Sequence, residues 1–414
     1  MNRKQLTLLI VLGVVLSGLG YMAWRKTQDP YKTSTASMGT LLITNFPFND
    51  VEQITIKQPK ETLTLAKQGD QWVVKDRGDY PANFDHVREL LRKLWELKIA
   101  KPLTVGPSRL PMLELVPPDK GNGTLLEFKD KAGKLIKSVL LGAKSMREGG
   151  GGGDMFGGGG SFPNGRYVMV GDDIGTAALV TEPFQGAEAN AEDWLNKDWF
   201  KVEKHKSISV VTTNATNNWK LFRETETGEW KLADAKPGES YDAAKGGAAT
   251  SALNYPQFND LPTNSAPDVT GLDKPMVTAT IETFDGYTYT AKLGNKAADD
   301  HYNFQIAVTG DFPKERVPGK DEKPEDKERL DKEFQTALKT KQDKVKNDQA
   351  YSKWTYLVSK WTVDPLLKVR SDLLAEPKKD EPKTGAAGAG AAKPPVTNLD
   401  PLAPPLLPPA AEKK

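Results

Sequence analysis

The residues able to do chemistry are few and widely spaced. Only three histidines occur, His86, His205 and His301, each in a different segment, and none has the short ligand spacing that a multi-histidine metal site needs. There is no cysteine, which removes thiolate nucleophiles, disulfides, Cys-based zinc sites and iron–sulfur clusters. The densest group of hard ligands is Asp299-Asp300-His301 at the mouth of a strand. Its oxygens would suit a hard cation, but the same residues are ordinary hairpin-turn chemistry, and a solvated turn is the expectation. Asp172-Asp173, after Gly171, is assigned the same way. Gly149–Gly160 reads GGGGGDMFGGGG, and neither Lys-Ser nor Lys-Thr follows it, so it is not a phosphate loop. Its apolar pair, Met155 and Phe156, held on a glycine arm, is the one candidate partner contact, against a tolerated low-complexity insertion. No Gly-x-Ser-x-Gly elbow and no dinucleotide fingerprint appears. No catalytic, cofactor-binding or metal-ligating residue is therefore assigned, no cofactor and no small-molecule substrate is expected, and the protein is expected not to be an enzyme. Carboxylates brought together by folding leave no mark in a sequence, so a hydrolase of that kind stays as the least supported alternative.

Composition narrows the partners. The 57 Lys and Arg nearly cancel the 55 Asp and Glu, so no net field draws the molecule to nucleic acid. Hydrophobic residues at 38% and charged residues at 27% suit a water-soluble body. The exception is Leu6–Trp24, LTLLIVLGVVLSGLGYMAW, an uncharged run long enough, at ~1.5 Å per residue, to approach the span of a ~30 Å hydrocarbon layer. It is expected to be a transmembrane helix and the protein's membrane contact. Arg3 and Lys4 precede it, and Tyr21 and Trp24 close it at headgroup level. The expectation is a single-pass protein of the inner (cytoplasmic) membrane, N-terminus in the cytoplasm and body outside. Arg25, Lys26 and Lys32 weaken that charge asymmetry.

The body divides by its periodicity. Residues 51–74 give three short alternating runs broken by turn residues, an antiparallel meander ending at Gln71-Trp72-Val73-Val74. After Tyr80-Pro81, Asn83 can cap a helix in which Phe84, Val87, Leu91, Leu94 and Trp95 recur at helical spacing. Thr124–Phe128 and Leu135–Leu141 form a hairpin, followed by Tyr167–Val170. The order returns in Ile208–Val211, Trp219–Phe222, Glu229–Leu232, a weak helix slot at Tyr241–Leu253 containing Gly246-Gly247, Val277–Phe284, Tyr287–Leu293 and Tyr302–Val308. Trp230 answers Trp72, and both are expected to be buried. The remaining tryptophans, among them Trp95, Trp194, Trp219, Trp354 and Trp361, are also expected in cores.

The expected fold class is α+β: one N-terminal transmembrane helix followed by two tandem similar modules, each an antiparallel sheet with a packed helix. The boundaries are 1–26 for the stub and anchor, 27–40 for a linker, 41–203 and 204–375 for the modules, and 376–414 for a disordered Pro/Ala-rich tail. A Gly-rich loop, 149–160, interrupts the first module, and a charged insertion, 313–350, interrupts the second; Leu330, Phe334 and Leu338 at four-residue spacing could support one solvated helix within it.

The Trp-ended meander, the Tyr-Pro-Ala-Asn-Phe helix entry, Asp193-Trp194-Leu195 and Gly271-Leu272-Asp273-Lys274-Pro275 also carry a resemblance. The sequence is similar to the bacterial family known as domain of unknown function 4340. Members of that family resemble and accompany auxiliary components of ABC-type transport systems linked to gliding motility. The resemblance implies a membrane-anchored accessory or scaffold protein with protein partners in an envelope transport complex. The alternative is an independent envelope protein that binds a polymer or peptide.

Overall fold

The computed structural model describes Ser17, residues 32–33, 37–148, 161–319 and 322–376. A two-residue strand β1 (Lys32–Thr33) pairs with β7 (Thr104–Val105). The first large sheet contains β2 (Gln53–Lys57), β3 (Thr62–Gln68), β4 (Gln71–Val74), β5 (Tyr80–Pro81) and β6 (Ile99–Pro102). It is completed by β8 (Thr124–Lys129), β9 (Leu135–Glu148), β10 (Ser161–Val170) and β11 (Ala178–Val180), in the order β5-β4-β3-β2-β8-β9-β10-β11-β6. The second contains β12 (His205–Thr212), β13 (Trp219–Phe222), β14 (Lys231–Leu232), β15 (Val277–Thr283), β16 (Tyr287–Lys296), β17 (His301–Gly310) and β18 (Tyr356–Ser359), in the order β14-β13-β12-β15-β16-β17-β18. Every pairing in both sheets is antiparallel.

The path β4-β3-β2-β8-β9-β10-β11 has the same order and chain sequence as the whole of the second sheet. Register agrees as well. Ile54 lies between Leu65 and Phe128, and Ile208 lies between Leu221 and Ile281. Leu141 pairs with Thr124, and Leu293 pairs with Val277. The glycine after each of these leucines faces a carbonyl so closely that a Cβ would lie 2.2 Å from Leu113 O at Gly142 and 2.0 Å from Thr270 O at Gly294. Both carbonyls belong to short helical turns that end in a left-handed residue, Glu114 at φ 54° and Gly271 at φ 74°. Trp72 is buried, whereas its counterpart Trp230, just before β14, is only half-buried under the Arg223 guanidinium. The expectation of two equally buried tryptophans is corrected there: β14 is too short to carry Trp230 into the ladder.

The expected α+β class is also corrected. The described chain is sheet-rich with few helices, and no described helix is long and apolar enough to cross a membrane. The span assigned to Leu6–Trp24 lies, Ser17 apart, outside the described residues. The packed helix of the second module is not in the slot where the sequence places it. The first sheet has α1 (Phe84–Trp95), with Val87, Leu90, Leu91 and Leu94 buried. Later in the chain come the four-residue helices α2 (Ala191–Trp194), α3 (Ala243–Gly246) and α4 (Pro267–Thr270). The second helix slot holds only α3, because Gly246-Gly247 and a short apolar run cannot propagate a longer one. The longest described helix is α5 (Lys327–Gln349), in the charged insertion; it lies against β17, where Gln349 Nε2 donates to Val308 O at 3.2 Å and Tyr289 OH to Asp348 at 3.2 Å. Last comes α6 (Lys360–Leu367).

The two sheets meet edge to edge. Tyr80 of β5 packs against Trp354, Phe258 and Tyr356 of the second half, with ring centroids 4.9–6.0 Å apart. Beside this aromatic cluster, Arg77 forms a two-pronged ion pair with Asp260, both contacts 2.8 Å, and Trp354 Nε1 donates to Gly78 O at 3.0 Å. The described residues of both sheets belong to one unit by contact.

Candidate functional site

An open, mainly apolar cavity is built on α1. Asn83 fixes the start of that helix: its side chain accepts from His86 N at 3.1 Å, and its own N–H donates to Trp194 O at 2.8 Å. With the start fixed, the 3.6-residue repeat assigns each side chain to a face. Val87, Leu90, Leu91 and Leu94 turn inward, while Phe84, Arg88, Arg92 and Trp95 form a stripe along one flank. Phe84 is 54% and Trp95 47% exposed, large values for rings of that size. The short turn Phe48–Asp50 brings Phe48 to 5.6 Å from Trp95, ring to ring. Between these walls lies a groove of about 490 Å³, floored by Val51, Trp72, Val87 and Leu91 and rimmed by Lys67, Arg88, Arg92 and Glu96.

Each rim cation has a carboxylate neighbour. Arg88 meets Asp85 at 2.8 Å, Arg92 meets Glu96 at 2.8 Å and Lys67 meets Glu52 at 3.2 Å. The two arginine pairs are at least half exposed, and such pairs contribute only ~0–1 kcal/mol, so they can exchange partners readily. The groove is therefore an apolar trough with mobile positive charge at its lip, suited to holding a ligand or a partner's side chains.

A larger cleft of about 620 Å³ opens at the sheet junction and is lined by polar groups including Asn196, Asp198, Lys346 and Asn347, together with Tyr80, Tyr351 and Trp354. Burial pushes the Tyr80 and Tyr356 hydroxyls well above the ordinary phenol range, so both stay neutral at physiological pH.

The residues singled out from sequence are dispersed. His86 stacks on Trp194, centroids 4.1 Å apart, with Nδ1 2.9 Å from Asp193 O. His205 is buried at the start of β12; its Nε2 lies 2.8 Å from Ala252 O, so that nitrogen carries the proton, and burial holds its pKa below the usual imidazole value. His301 opens β17, next to the turn in which Asp299 and Asp300 adopt left-handed backbone and Asp300 pairs with Lys296. Asp173 caps a short turn by accepting from Gly175 N at 3.0 Å. Among the described residues no three of His, Asp and Glu are grouped to hold a metal ion. Met155 and Phe156 lie outside the described residues. They connect β9 to β10, whose pairing continues out to Glu148 and Ser161, with Met146 53% and Phe162 67% exposed on that ribbon.

Sequence reasoning missed the groove. Trp95 and Trp361 were assigned to cores, yet both are exposed. For Trp95 a signal existed: Phe84, Arg88, Arg92 and Trp95 form a second stripe beside the aliphatic one, and arginines do not share a buried face without partners.

This architecture defines a sheet-rich protein with an open apolar groove against the amphipathic helix α1. A family model described as Domain of unknown function (DUF4340) matches residues 72–275, from β4 through α1 to the Gly271–Pro275 turn, and supports that family for this chain. No curated protein and no solved structure matches it.

Proposed function

We propose that this protein is a non-enzymatic accessory or scaffold subunit, held at the inner membrane by its apolar sequence Leu6–Trp24, with its body outside the cytoplasm, in an envelope ABC-type transport assembly. The observation that carries the reading is the β9–β10 ribbon, which presents Met146 and Phe162 to solvent on either side of the Met155-Phe156 segment. Exposed apolar side chains gathered on one projecting element mark interaction surfaces. A shared membrane raises the effective concentration of weak partners.

Crosslinking in native membranes followed by mass spectrometry tests this. Recovery of a permease or another anchored transport component by the full chain, reduced when Met146, Met155, Phe156 and Phe162 are replaced by Ser, is the expected result. If no membrane protein is recovered and the purified chain turns over a substrate, the proposal fails. The alternative, an independent envelope protein that binds a polymer or peptide, is favoured by the groove itself, and predicts that the ribbon substitutions leave the crosslinks unchanged.

A further inference from the structure

We infer that the α1 groove is a binding site for a single-chain, long-chain carboxylate, a function independent of the ribbon and of any transport partner. Three features choose this ligand. The groove's volume, about 490 Å³, lies within the ~300–1,000 Å³ range of small-molecule sites. It runs along α1, because Phe84 and Trp95, at opposite ends of one face of that helix, both line it, and eleven residues at ~1.5 Å each separate them by roughly 16 Å. Its floor, Val51, Trp72, Val87 and Leu91, offers no polar atom but the Trp72 indole N–H, so the part of the ligand that enters is mainly hydrocarbon.

The lip supplies the other half of the recognition. Lys67, Arg88 and Arg92 line the groove against one carboxylate, Glu96. Arg88 and Arg92 are one helical turn apart on the same face, and their pairs with Asp85 and Glu96 are exposed. A ligand carboxylate replaces Asp85 or Glu96 with little cost, since a planar guanidinium binds any carboxylate with two parallel hydrogen bonds. A docked protein helix fits less well. A stable protein interface buries more than ~1,000 Å² in total, and a trough of this size, closed by Phe84 at one end and by Phe48 and Trp95 at the other, cannot supply it. A two-chain lipid would leave its second chain in water.

The test uses the intact chain in lipid nanodiscs and a diazirine-bearing dodecanoate, with adducts mapped by peptide mass spectrometry. Expected are saturable adducts in the peptides carrying Trp72 and residues 84–95. Decanoate and dodecanoate should displace the probe, each added methylene strengthening competition about fourfold, and dodecanol or dodecyltrimethylammonium should compete at least tenfold less well. Arg88→Gln with Arg92→Gln, both at solvent-facing positions, should remove the preference for carboxylate over alcohol while circular dichroism stays unchanged. Adducts confined to the N-terminal apolar sequence, or equal competition by all three head groups, would overturn the inference. Displacement by an acidic amphipathic peptide and not by dodecanoate would overturn it in favour of a peptide groove.

Discussion

Removing Arg77 should loosen the junction between the two sheets more than any single surface charge has a right to. The guanidinium reaches from the loop after β4 to Asp260 in the second half with two contacts of 2.8 Å, and the side chains are only 16% and 23% exposed. Exposed ion pairs contribute ~0–1 kcal/mol, whereas breaking a buried one by deleting a single partner costs ~3–5 kcal/mol. This pair stands nearer the buried limit, but after the change Asp260 keeps one partner, the Leu261 N–H at 2.8 Å. Arg77→Ala is therefore expected to cost about 2–3 kcal/mol. Arg77→Ala, Asp260→Ala and the double variant, each followed by urea unfolding, form a double-mutant cycle with an expected coupling of about 1–2 kcal/mol. Single costs within the ~0.5 kcal/mol typical of surface substitutions, or a coupling below ~0.5 kcal/mol, would refute the reasoning and leave the junction to the aromatic cluster around Tyr80 and the hydrogen bonds beside it.

Gly142→Ala and Gly294→Ala should destabilise alike, by about 1–3 kcal/mol, the usual range for overpacking, because each new Cβ meets a backbone carbonyl at 2.2 Å and 2.0 Å; thermal unfolding in which only one variant suffers would break the equivalence of the two positions. Glu114→Gly should add about 1 kcal/mol by relieving a left-handed non-glycine residue, and Gly271→Ala should remove about 1–2 kcal/mol at the corresponding turn, both measured by urea midpoint. His205 is held below its ordinary pKa by burial, so as pH falls the unfolded chain takes the proton first; its stabilising contribution is complete above about pH 6.5 and is lost as pH falls further. Stability measured from pH 7.5 to 5 should decline, and His205→Gln should flatten the decline; an unchanged slope would show that His205 is not its source. Trp72→Ala should cost ~3–5 kcal/mol, and half-buried Trp230→Ala distinctly less, as read by the same unfolding curves.

Local pattern by itself determined the strands. Alternation over 53–57, 62–68, 277–283 and 287–296 can bury only one edge of an extended chain, and the turn residues between those runs leave adjacent antiparallel pairing as the shortest connection. Asn83 likewise placed the start of α1, since a capping side chain acts on the donors of its own first turn. The hairpin turn at Asp299-Asp300 was legible for the same reason. Helix content was legible only in part. Tyr241–Leu253 carries enough apolar residues to suggest a helix but forms only the four-residue α3 and a three-residue 3-10 turn, while the charged stretch, where Leu330, Phe334 and Leu338 at four-residue spacing allow a helix, forms the long Lys327–Gln349 helix packed on β17. Helical stability comes mainly from a tertiary surface to pack against, which no local window contains. The groove and the junction belong to that category too. Phe48 reaches Trp95, and Arg77 reaches Asp260, only because separate sheet edges are brought together. Sequence sets which faces are apolar; which apolar face is left uncovered is decided by the elements that arrive from elsewhere in the chain.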